Sequence, residues 1–465
     1  MRVQGVMPLH RIGQVWRMHS RKARNAPGRA RDGQFATHRE CPCRVATRAI
    51  VESHGLSFDI LTVVSLVSSD PALRVRDEAG FSIALLKWEN SWVMLFEPII
   101  LSGRTARNRA WVSPMCQHSA FNGQATPWHL VHLGARAVGG AGLVMVESTS
   151  IRADGRISPY DAGLWDDSQI ESWRGVSDFV KSQGALSAVQ LSHAGRKAST
   201  HRPWQGQGYL PPADGGWATI GPSAVAFGDF APPRSLSTDE VAEIPKLFAA
   251  AAERAELAGF DVIELHAAHG YLLHQFLSPL SNARNDAYGG DFERRIRLTM
   301  DVVAEVRRRL RQATPLFIRI SATDWTPGGW DIEQSVELSR RVHALGVDLV
   351  DVSTGGNVPN TKIPVGPGYQ LPFSAQIRRE AGVPTAVVGL ITTPEQAEEA
   401  LANREADAIM IGRAHLDDPY WVRHAARKLG VDMSSVHVAQ YDRAELNAGR
   451  YSSLASQPQT PSRHR

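Results

Sequence analysis

The chain has 465 residues, a formal net charge of +4 and three cysteines. This length allows one large domain or two ordinary ones, and either would bury an ample core. Cys41, Cys43 and Cys116 are too few for a disulfide framework, which excludes a disulfide-rich secreted protein and favours a reducing cytoplasm. No apolar run reaches the roughly 20 residues that a membrane-spanning helix requires.

The positive charge is concentrated at the N-terminus. Residues 1–50 contain ten Arg and one Lys against only Asp32 and Glu40, a balance of +9, so the remaining 415 residues carry −5. No nucleic-acid partner is implied for those residues. The segment 1–93 could be an organellar targeting peptide, a basic tail, or an extension upstream of a true start at Met94, and we favour the third interpretation.

From Ala110 onward, short apolar runs alternate with amphipathic runs of helical period. Eight such units in about 330 residues predict an α/β fold, a single TIM (β/α)8 barrel. An open nucleotide-binding sheet would show G-x-G-x-x-G after its first strand, and that motif is absent. The predicted strands are Ala110–Met115, Gly142–Glu147, Leu186–Leu191, Phe260–Leu265, Leu316–Ile320, Val347–Val352, Thr385–Val388 and Ala406–Ile411. Predicted helices include Asp239–Ala258, Phe292–Arg311, Ile332–Leu345 and Pro394–Ala402.

The connection after the third strand is unusually long. Residues 193–237 are rich in Gly, Pro and Trp and show no helical period, which predicts a capping loop that closes over a substrate. The predicted organisation is a disordered basic extension over residues 1–93, the barrel over 94–445 and a disordered tail over 446–465.

The end of the fourth strand carries the most informative residues, His266, His269 and Tyr271. The carboxyl ends of barrel strands are where catalysis occurs in this architecture. Two neutral imidazoles can donate hydrogen bonds to one carbonyl oxygen, and a phenol beside them can give up a proton. A zinc site is the alternative because His-x-x-His can present two ligands, but no third ligand is evident nearby.

Other strand ends suggest a bound heterocycle. A thiol such as that of Cys116 is more often a packing residue. A buried Gln190 can offer a donor and an acceptor to a pyrimidine edge, or it can satisfy backbone groups. Arg319 needs a negative partner, either a reduced flavin or an internal carboxylate.

Strands six to eight end in glycines. Gly356 follows the sixth strand, while Gly389 and Gly412 follow the last two, with Arg413 next in sequence. Barrels commonly bind phosphate after strands seven and eight through loop amides, and an adjacent guanidinium adds a charge-assisted contact. This pattern indicates a phosphate-bearing cofactor.

Taken together, these motifs resemble the old yellow enzyme family of flavin-dependent ene-reductases, in particular its bacterial branch with an active-site cysteine, similar to xenobiotic reductases. The resemblance extends from Phe96 to Arg443. It implies FMN as cofactor and NADPH or NADH as reductant. It also assigns Ser113, Pro114, Met115 and Cys116 to the flavin, with Cys116 tuning its potential, and Ser148 and Gln190 to the flavin ring.

The resemblance further implies the roles of the residues around the substrate. His266 and His269 would polarise the substrate carbonyl, and Tyr271 would protonate its α-carbon. The family usually has a tyrosine where this chain has His118, so substrate preference and pH dependence cannot be carried over. In Gln440-Tyr-Asp-Arg443, the arginine would reach a neighbouring subunit's active site, which implies a homo-oligomer.

We therefore expect a cytoplasmic, FMN-dependent NAD(P)H oxidoreductase that reduces the C=C bond of small α,β-unsaturated carbonyl compounds, without a metal or a membrane partner. A dienoyl-CoA-type reductase would add an iron–sulfur cluster and a second nucleotide domain, and three cysteines without a dinucleotide motif argue against it. Two different classes of protein, a zinc hydrolase and a flavin-binding protein without catalysis, also compete with this interpretation.

Overall fold

The computed structural model describes residues 93–441 and residue 443, together with the strands Ala46–Ser53, Leu56–Val63, Arg74–Arg76 and Ser82–Ala84. These four strands form two antiparallel pairs within a compact unit of residues 1–89, and residues 90–465 form a second unit. The rest of the 1–93 extension and the whole 446–465 tail lie outside the described residues. Their predicted disorder therefore stays a prediction.

Eight parallel strands of the second unit close into a barrel, which confirms the predicted fold. The strands are β1 (Ala110–Val112), β2 (Leu143–Ser150), β3 (Leu186–Ser192), β4 (Val262–Ala267), β5 (Leu316–Ser321), β6 (Leu349–Ser353), β7 (Thr385–Val387) and β8 (Ala408–Ile411). Each strand is followed by a longer helix: α1 (Pro127–Val138), α2 (Ile170–Ser182), α3 (Thr238–Leu257), α4 (Phe292–Arg309), α5 (Ile332–Ala344), α6 (Leu371–Ala381), α7 (Pro394–Ala402) and α8 (Trp421–Lys428). Short helices Leu272–Leu277 and Arg413–Asp417 follow β4 and β8 directly.

The first strand is shorter than predicted. Its ladder stops at Val112, and the Ser113 N–H donates to the Ile411 carbonyl at 3.1 Å before the chain turns away. Pro114 has no N–H to continue the ladder. The residues from Ser113 to Cys116 therefore form a loop over the barrel rim.

Side-chain caps explain why helix starts could be located from sequence. The Ser237 hydroxyl accepts from Glu240 N at 3.2 Å, and the Glu240 carboxylate accepts from Ser237 N at 2.8 Å, which together form a capping box at α3. Asp291 and Asp331 accept backbone N–H groups at the starts of α4 and α5. A cap of this kind contributes about 1 kcal/mol.

The amino-terminal half of the barrel interior is an apolar floor. Trp111 and Phe317 are fully buried there, with ring centroids 5.9 Å apart. A hairpin of Ile99–Leu101 and Arg104–Ala106 packs Leu101 and Ala106 against the same cluster. Polar side chains begin only above this floor, toward the carboxyl ends of the strands.

The segment 193–237 after β3 is present as predicted and is held by specific contacts. The Trp217 indole N–H donates to the Asp154 carbonyl at 2.7 Å, and the Arg202 guanidinium lies 3.1 Å from the centroid of the Tyr160 ring. The segment therefore packs on the loop that follows β2. Within the described part of the chain, no helix is long and apolar enough to cross a membrane.

Candidate active site

His266, His269 and Tyr271 come together in a tight turn at the end of β4. The His266 ring lies 5.1 Å from the His269 ring and 4.8 Å from the Tyr271 ring, measured between centroids. His269 has φ 58° and Gly270 has φ 72°, so two consecutive residues in the left-handed region reverse the chain. The turn places all three functional groups on one side of the strand end.

This turn requires glycine because two backbones meet there. A Cβ on Gly356 would lie 2.7 Å from the Cα of His269, and a Cβ on Gly270 would clash with the Gly356 carbonyl oxygen. His274 supports the turn because its Nδ1 accepts from Gly270 N at 3.0 Å. Gly356 is therefore needed so that its backbone can lie close to residues 266–271, which we call the catalytic turn because they carry the three candidate catalytic groups.

The hydrogen bonds determine which nitrogen of His266 can donate. Its Nδ1 accepts from Ala268 N at 3.2 Å, so the proton of the neutral ring is on Nε2. Burial, together with the positive charge of Arg319, lowers the pKa of both His266 and His269 well below the ordinary value. Both rings are therefore neutral near pH 7, as hydrogen-bond donors to a carbonyl oxygen should be.

Lys197 is a site residue to which the sequence alone assigned no role. Its ammonium donates to the carbonyl oxygens of His269 at 2.9 Å and Gly356 at 2.8 Å, and it lies 5.5 Å from the Tyr271 ring centroid. Burial lowers its pKa to about 8. The signal that could have revealed it is the Arg196-Lys197 pair just beyond a buried strand.

A cavity of about 260 Å³ lies at the carboxyl ends of β6, β7 and β8. The Ser353 hydroxyl on its wall lies 2.8 Å from His269 Nε2, which connects the cavity to the catalytic turn. Predicted cofactor residues that line it are Met115, Arg319, Gly389, Gly412 and Arg413. Ser113, Pro114, Cys116, Ser148, Gln190 and Gly356 are not among its lining residues.

Arg319 lies beside a buried carboxylate, which is one of the two partners predicted for its charge. Its Nε lies 3.1 Å from an Asp351 oxygen, although the angle is not that of a hydrogen bond, and Nη2 lies 3.4 Å from the Ser113 hydroxyl. This is an internal ion pair, and Arg319 is also one of the residues that line the cavity. Asp351 was missed in the sequence because it is a single acidic residue within an apolar strand that follows Arg319 only after an intervening helix.

The loop that carries Cys116 is held by a buried carboxylate. Glu147 accepts from the Gln117 N–H with one oxygen, and its other oxygen lies 3.0 Å from His129 Nε2. Thr126 N donates to His129 Nδ1 at 3.0 Å, so His129 donates to Glu147 through Nε2. Burial and the nearby Glu147 and Asp161 raise the pKa of Cys116 well above its usual value, which keeps it a thiol.

His118 has an acidic partner that the sequence did not suggest. Its Nδ1 lies 2.8 Å from Asp161 Oδ1 and 3.0 Å from the Ser158 hydroxyl. Burial alone would lower the pKa of His118, but the hydrogen bond to Asp161 and its charge outweigh burial, so the pKa is raised. Asp161 also contributes to raising the pKa of Tyr271, after burial and Cys116.

Arg443 is the last residue that the structure describes, and it is exposed. Just before it, the Tyr441 ring packs 6.3 Å from the Tyr420 ring, so the C-terminal segment runs along α8. Arg443 is not a lining residue of the cavity in its own chain. Within residues 93–441, no group of three or more His, Cys, Asp or Glu side chains is placed to hold a metal ion.

The donor set of the site fits a phosphorylated flavin. The cavity is lined by two arginines, Arg319 and Arg413, and by glycines at two consecutive strand ends. The Gln190 amide nitrogen donates to Glu264 at 2.8 Å, which leaves its oxygen as an acceptor. The fold and the site together define a barrel enzyme built to bind a charged heterocyclic cofactor.

Comparison with known proteins identifies the family. The profile described as "NADH:flavin oxidoreductase / NADH oxidase family" matches residues 94–431, and the chain belongs to this family. The NADPH dehydrogenase of Geobacillus thermodenitrificans is 44% identical over 353 residues, which cover 75% of this chain and 98% of that protein.

Solved structures agree with this assignment. An old yellow enzyme homologue from Zymomonas mobilis matches with a TM-score of 0.61 and 28% identity over 74% of this chain and 96% of that chain. A 2-naphthoyl-CoA reductase matches with a TM-score of 0.66. The match covers 72% of this chain and about half (52%) of the reductase chain. At 23% identity this likeness shows the fold alone. The protein is an oxidoreductase of the old yellow enzyme type with FMN as cofactor and a nicotinamide reductant, which confirms the resemblance.

Proposed function

We propose that this enzyme reduces the carbon–carbon double bond of small α,β-unsaturated carbonyl compounds. The observation that supports this most directly is the grouping of two neutral imidazoles and a phenol, with ring centroids 5.1 and 4.8 Å apart. These groups match the needs of the substrate, which are hydrogen bonds to its oxygen and a proton for its α-carbon.

We propose a cytoplasmic location.

FMN, when bound, supplies hydride transfer from the nicotinamide to the substrate. We propose that Arg319 and Gln190 contact the pyrimidine edge of the ring, and that Gly389, Gly412 and Arg413 hold the phosphate. The remaining proposed contacts are Ser113, Pro114, Met115, Cys116, Ser148 and Gly356. Gly356 also positions the catalytic turn, because its backbone packs against that of His269.

The His266 Nε2–H donates to the substrate oxygen and draws electron density from the β-carbon. The Ser353 hydroxyl lies 2.8 Å from His269 Nε2 and 3.3 Å from the Gln370 side-chain oxygen. We propose that it donates to the nearer atom, His269 Nε2, so that the proton of the neutral ring is on Nδ1 and His269 acts in the same way as His266. Neutral donors placed beforehand stabilise negative charge as it develops on the oxygen. Burial lowers the pKa of both rings, and the charges of Arg319 and Lys197 lower it further, so both rings stay neutral.

Tyr271 holds the proton that the α-carbon receives. Burial, with the charge of Asp161 as a further cause, raises its pKa well above the usual value, so the phenol is protonated near neutral pH. Its ring packs against His266, which directs the hydroxyl toward the same substrate. Lys197, 5.5 Å from the ring centroid, fixes the turn that carries the phenol.

Anaerobic spectroscopy tests this function directly. The purified protein should show visible flavin absorbance, and NADPH or NADH should bleach it. Adding 2-cyclohexenone should restore the oxidised spectrum, whereas cyclohexanone, which lacks the double bond, should not. Bleaching by nicotinamide followed by reoxidation only with oxygen would contradict the proposal.

We expect His118 to impose a pH dependence on substrate binding. Because Asp161 raises the pKa of His118, the imidazole should be cationic below an inflection that lies above about pH 6.5, and neutral beyond it. The enone dissociation constant measured across pH should show this inflection. His118→Tyr should abolish it, and Asp161→Asn should move it to lower pH. Identical profiles in all three proteins would show that His118 does not face the substrate.

We also propose that the enzyme is a homo-oligomer in which Arg443 reaches a neighbouring subunit's active site. The C-terminal segment runs along α8, outside the cavity of its own chain. Light scattering should show more than one subunit. Mixing an Arg443→Ala protein with a Tyr271→Phe protein should restore more enone turnover than either has alone, and no restoration would contradict the shared site.

A further inference from the structure

A layer of four polar side chains lies between the apolar floor of the barrel and the active site. Gln190, Glu264, Arg319 and Asp351 come from the consecutive strands β3, β4, β5 and β6 and are all buried. Gln190 pairs with Glu264, and Arg319 pairs with Asp351, in the strand register. His266 follows Glu264 by two residues on β4 and pairs with Arg319 in the register of β4 and β5, so this layer borders the catalytic turn.

The layer contains two carboxyl groups but one guanidinium. Arg319 Nε lies 3.1 Å from Asp351, while Glu264 accepts a hydrogen bond only from the neutral Gln190 amide. The second Glu264 oxygen and both Asp351 oxygens are buried without a hydrogen-bond partner among the described residues. Two ionised carboxylates here would leave one buried negative charge uncompensated, which is costly.

Geometry decides which carboxyl keeps its proton. Asp351 is the one beside the guanidinium, so it is the better anion. Burial and the neighbouring Asp351 charge raise the pKa of Glu264, against the opposing effects of Arg319 and Gln190. Burial also raises the pKa of Asp351, but there the adjacent Arg319 charge opposes it. His266 on the same strand is neutral, and so it adds no positive charge to favour ionised Glu264.

We propose that Glu264 holds a proton at neutral pH, and that its ionisation at higher pH opposes reduction of the flavin above it. This inference rests on the proposed placement of FMN against Arg319 and Gln190. Reduction adds negative charge near the flavin edge that Arg319 faces. An ionised Glu264 would offset the guanidinium and repel that charge, whereas a protonated Glu264 leaves the guanidinium paired with Asp351 alone.

The midpoint potential of bound FMN in the holoenzyme tests this, measured against reference dyes from about pH 6 to about pH 10. In the wild type the potential should fall more steeply with pH once Glu264 ionises. Glu264→Gln, which mimics the protonated side chain, should match the wild type at the acidic end and stay above it at the alkaline end. Asp351→Asn should shift the inflection to lower pH, because Glu264 then becomes the partner of Arg319.

Coinciding curves for wild type and Glu264→Gln would overturn the inference. If Glu264→Gln loses FMN, the test rests on the potentials of the wild type and of Asp351→Asn. The inference is contradicted if the wild type shows no alkaline inflection, or if Asp351→Asn leaves that inflection at the same pH. Infrared spectroscopy gives an independent test. The wild type at neutral pH should show a carboxylic acid band that the Glu264→Gln protein lacks, even when that variant holds no flavin. The dye titration contains no enone, so failure to reduce enones would count against the proposed function without affecting this result.

Discussion

Replacing His266 or His269 by Ala is expected to slow enone reduction by on the order of 10²-fold or more. Each substitution removes a neutral donor that strengthens its hydrogen bond as negative charge develops on the substrate oxygen. Reduction of FMN by NADPH should be affected less, because the nicotinamide has no carbonyl that must become an anion. Stopped-flow measurement of the two half-reactions separates these effects.

A surface histidine provides the matched control. His424 on α8 has an exposed ring, and its Nδ1 lies 2.6 Å from an oxygen of Asp418, a residue outside the catalytic turn. His424→Ala should leave both half-reactions unchanged. Unaltered enone turnover in both the His266→Ala and His269→Ala proteins would remove these residues from the reaction.

Tyr271→Phe is expected to reduce enone turnover by roughly 10²–10⁴-fold, the usual contribution of a positioned general acid. The phenyl ring can keep its packing against His266, so substrate binding and FMN reduction should change little. The rate of flavin reoxidation by 2-cyclohexenone is the measurement. In the variant, the proton must come from solvent.

Tyr288→Phe is the control for loss of a phenol. Tyr288 packs 6.5 Å from Phe276, between β4 and α4, and its pKa is shifted by burial and by charged residues of that region rather than of the site. It should retain wild-type turnover. A Tyr271→Phe protein that reoxidises at the wild-type rate would mean that another group supplies the proton.

Local sequence was enough to locate the barrel and most of its rim. The strands of such a barrel are buried on both faces, so each appears as a short apolar run, and the residues just beyond each run lie at the catalytic face. His266, His269 and Tyr271 were identified in this way, because strand end and side-chain chemistry are both local. The prediction for β1 ran past Pro114, although a proline, which has no N–H to donate, is itself a local signal that a strand ends.

The partners of these residues were decided only by the tertiary structure. Asp351 lies beside Arg319 from the neighbouring strand, and Asp161 binds His118 from 43 positions away in the sequence. Periodicity reports which way a side chain faces within its own strand. It does not report which residue of another strand lies at the same height, because that depends on the stagger of the closed barrel. The sequence by itself determined the fold and the cofactor class, and it predicted the candidate catalytic groups. The closed barrel decided their charges, since burial and neighbouring ions set each protonation state.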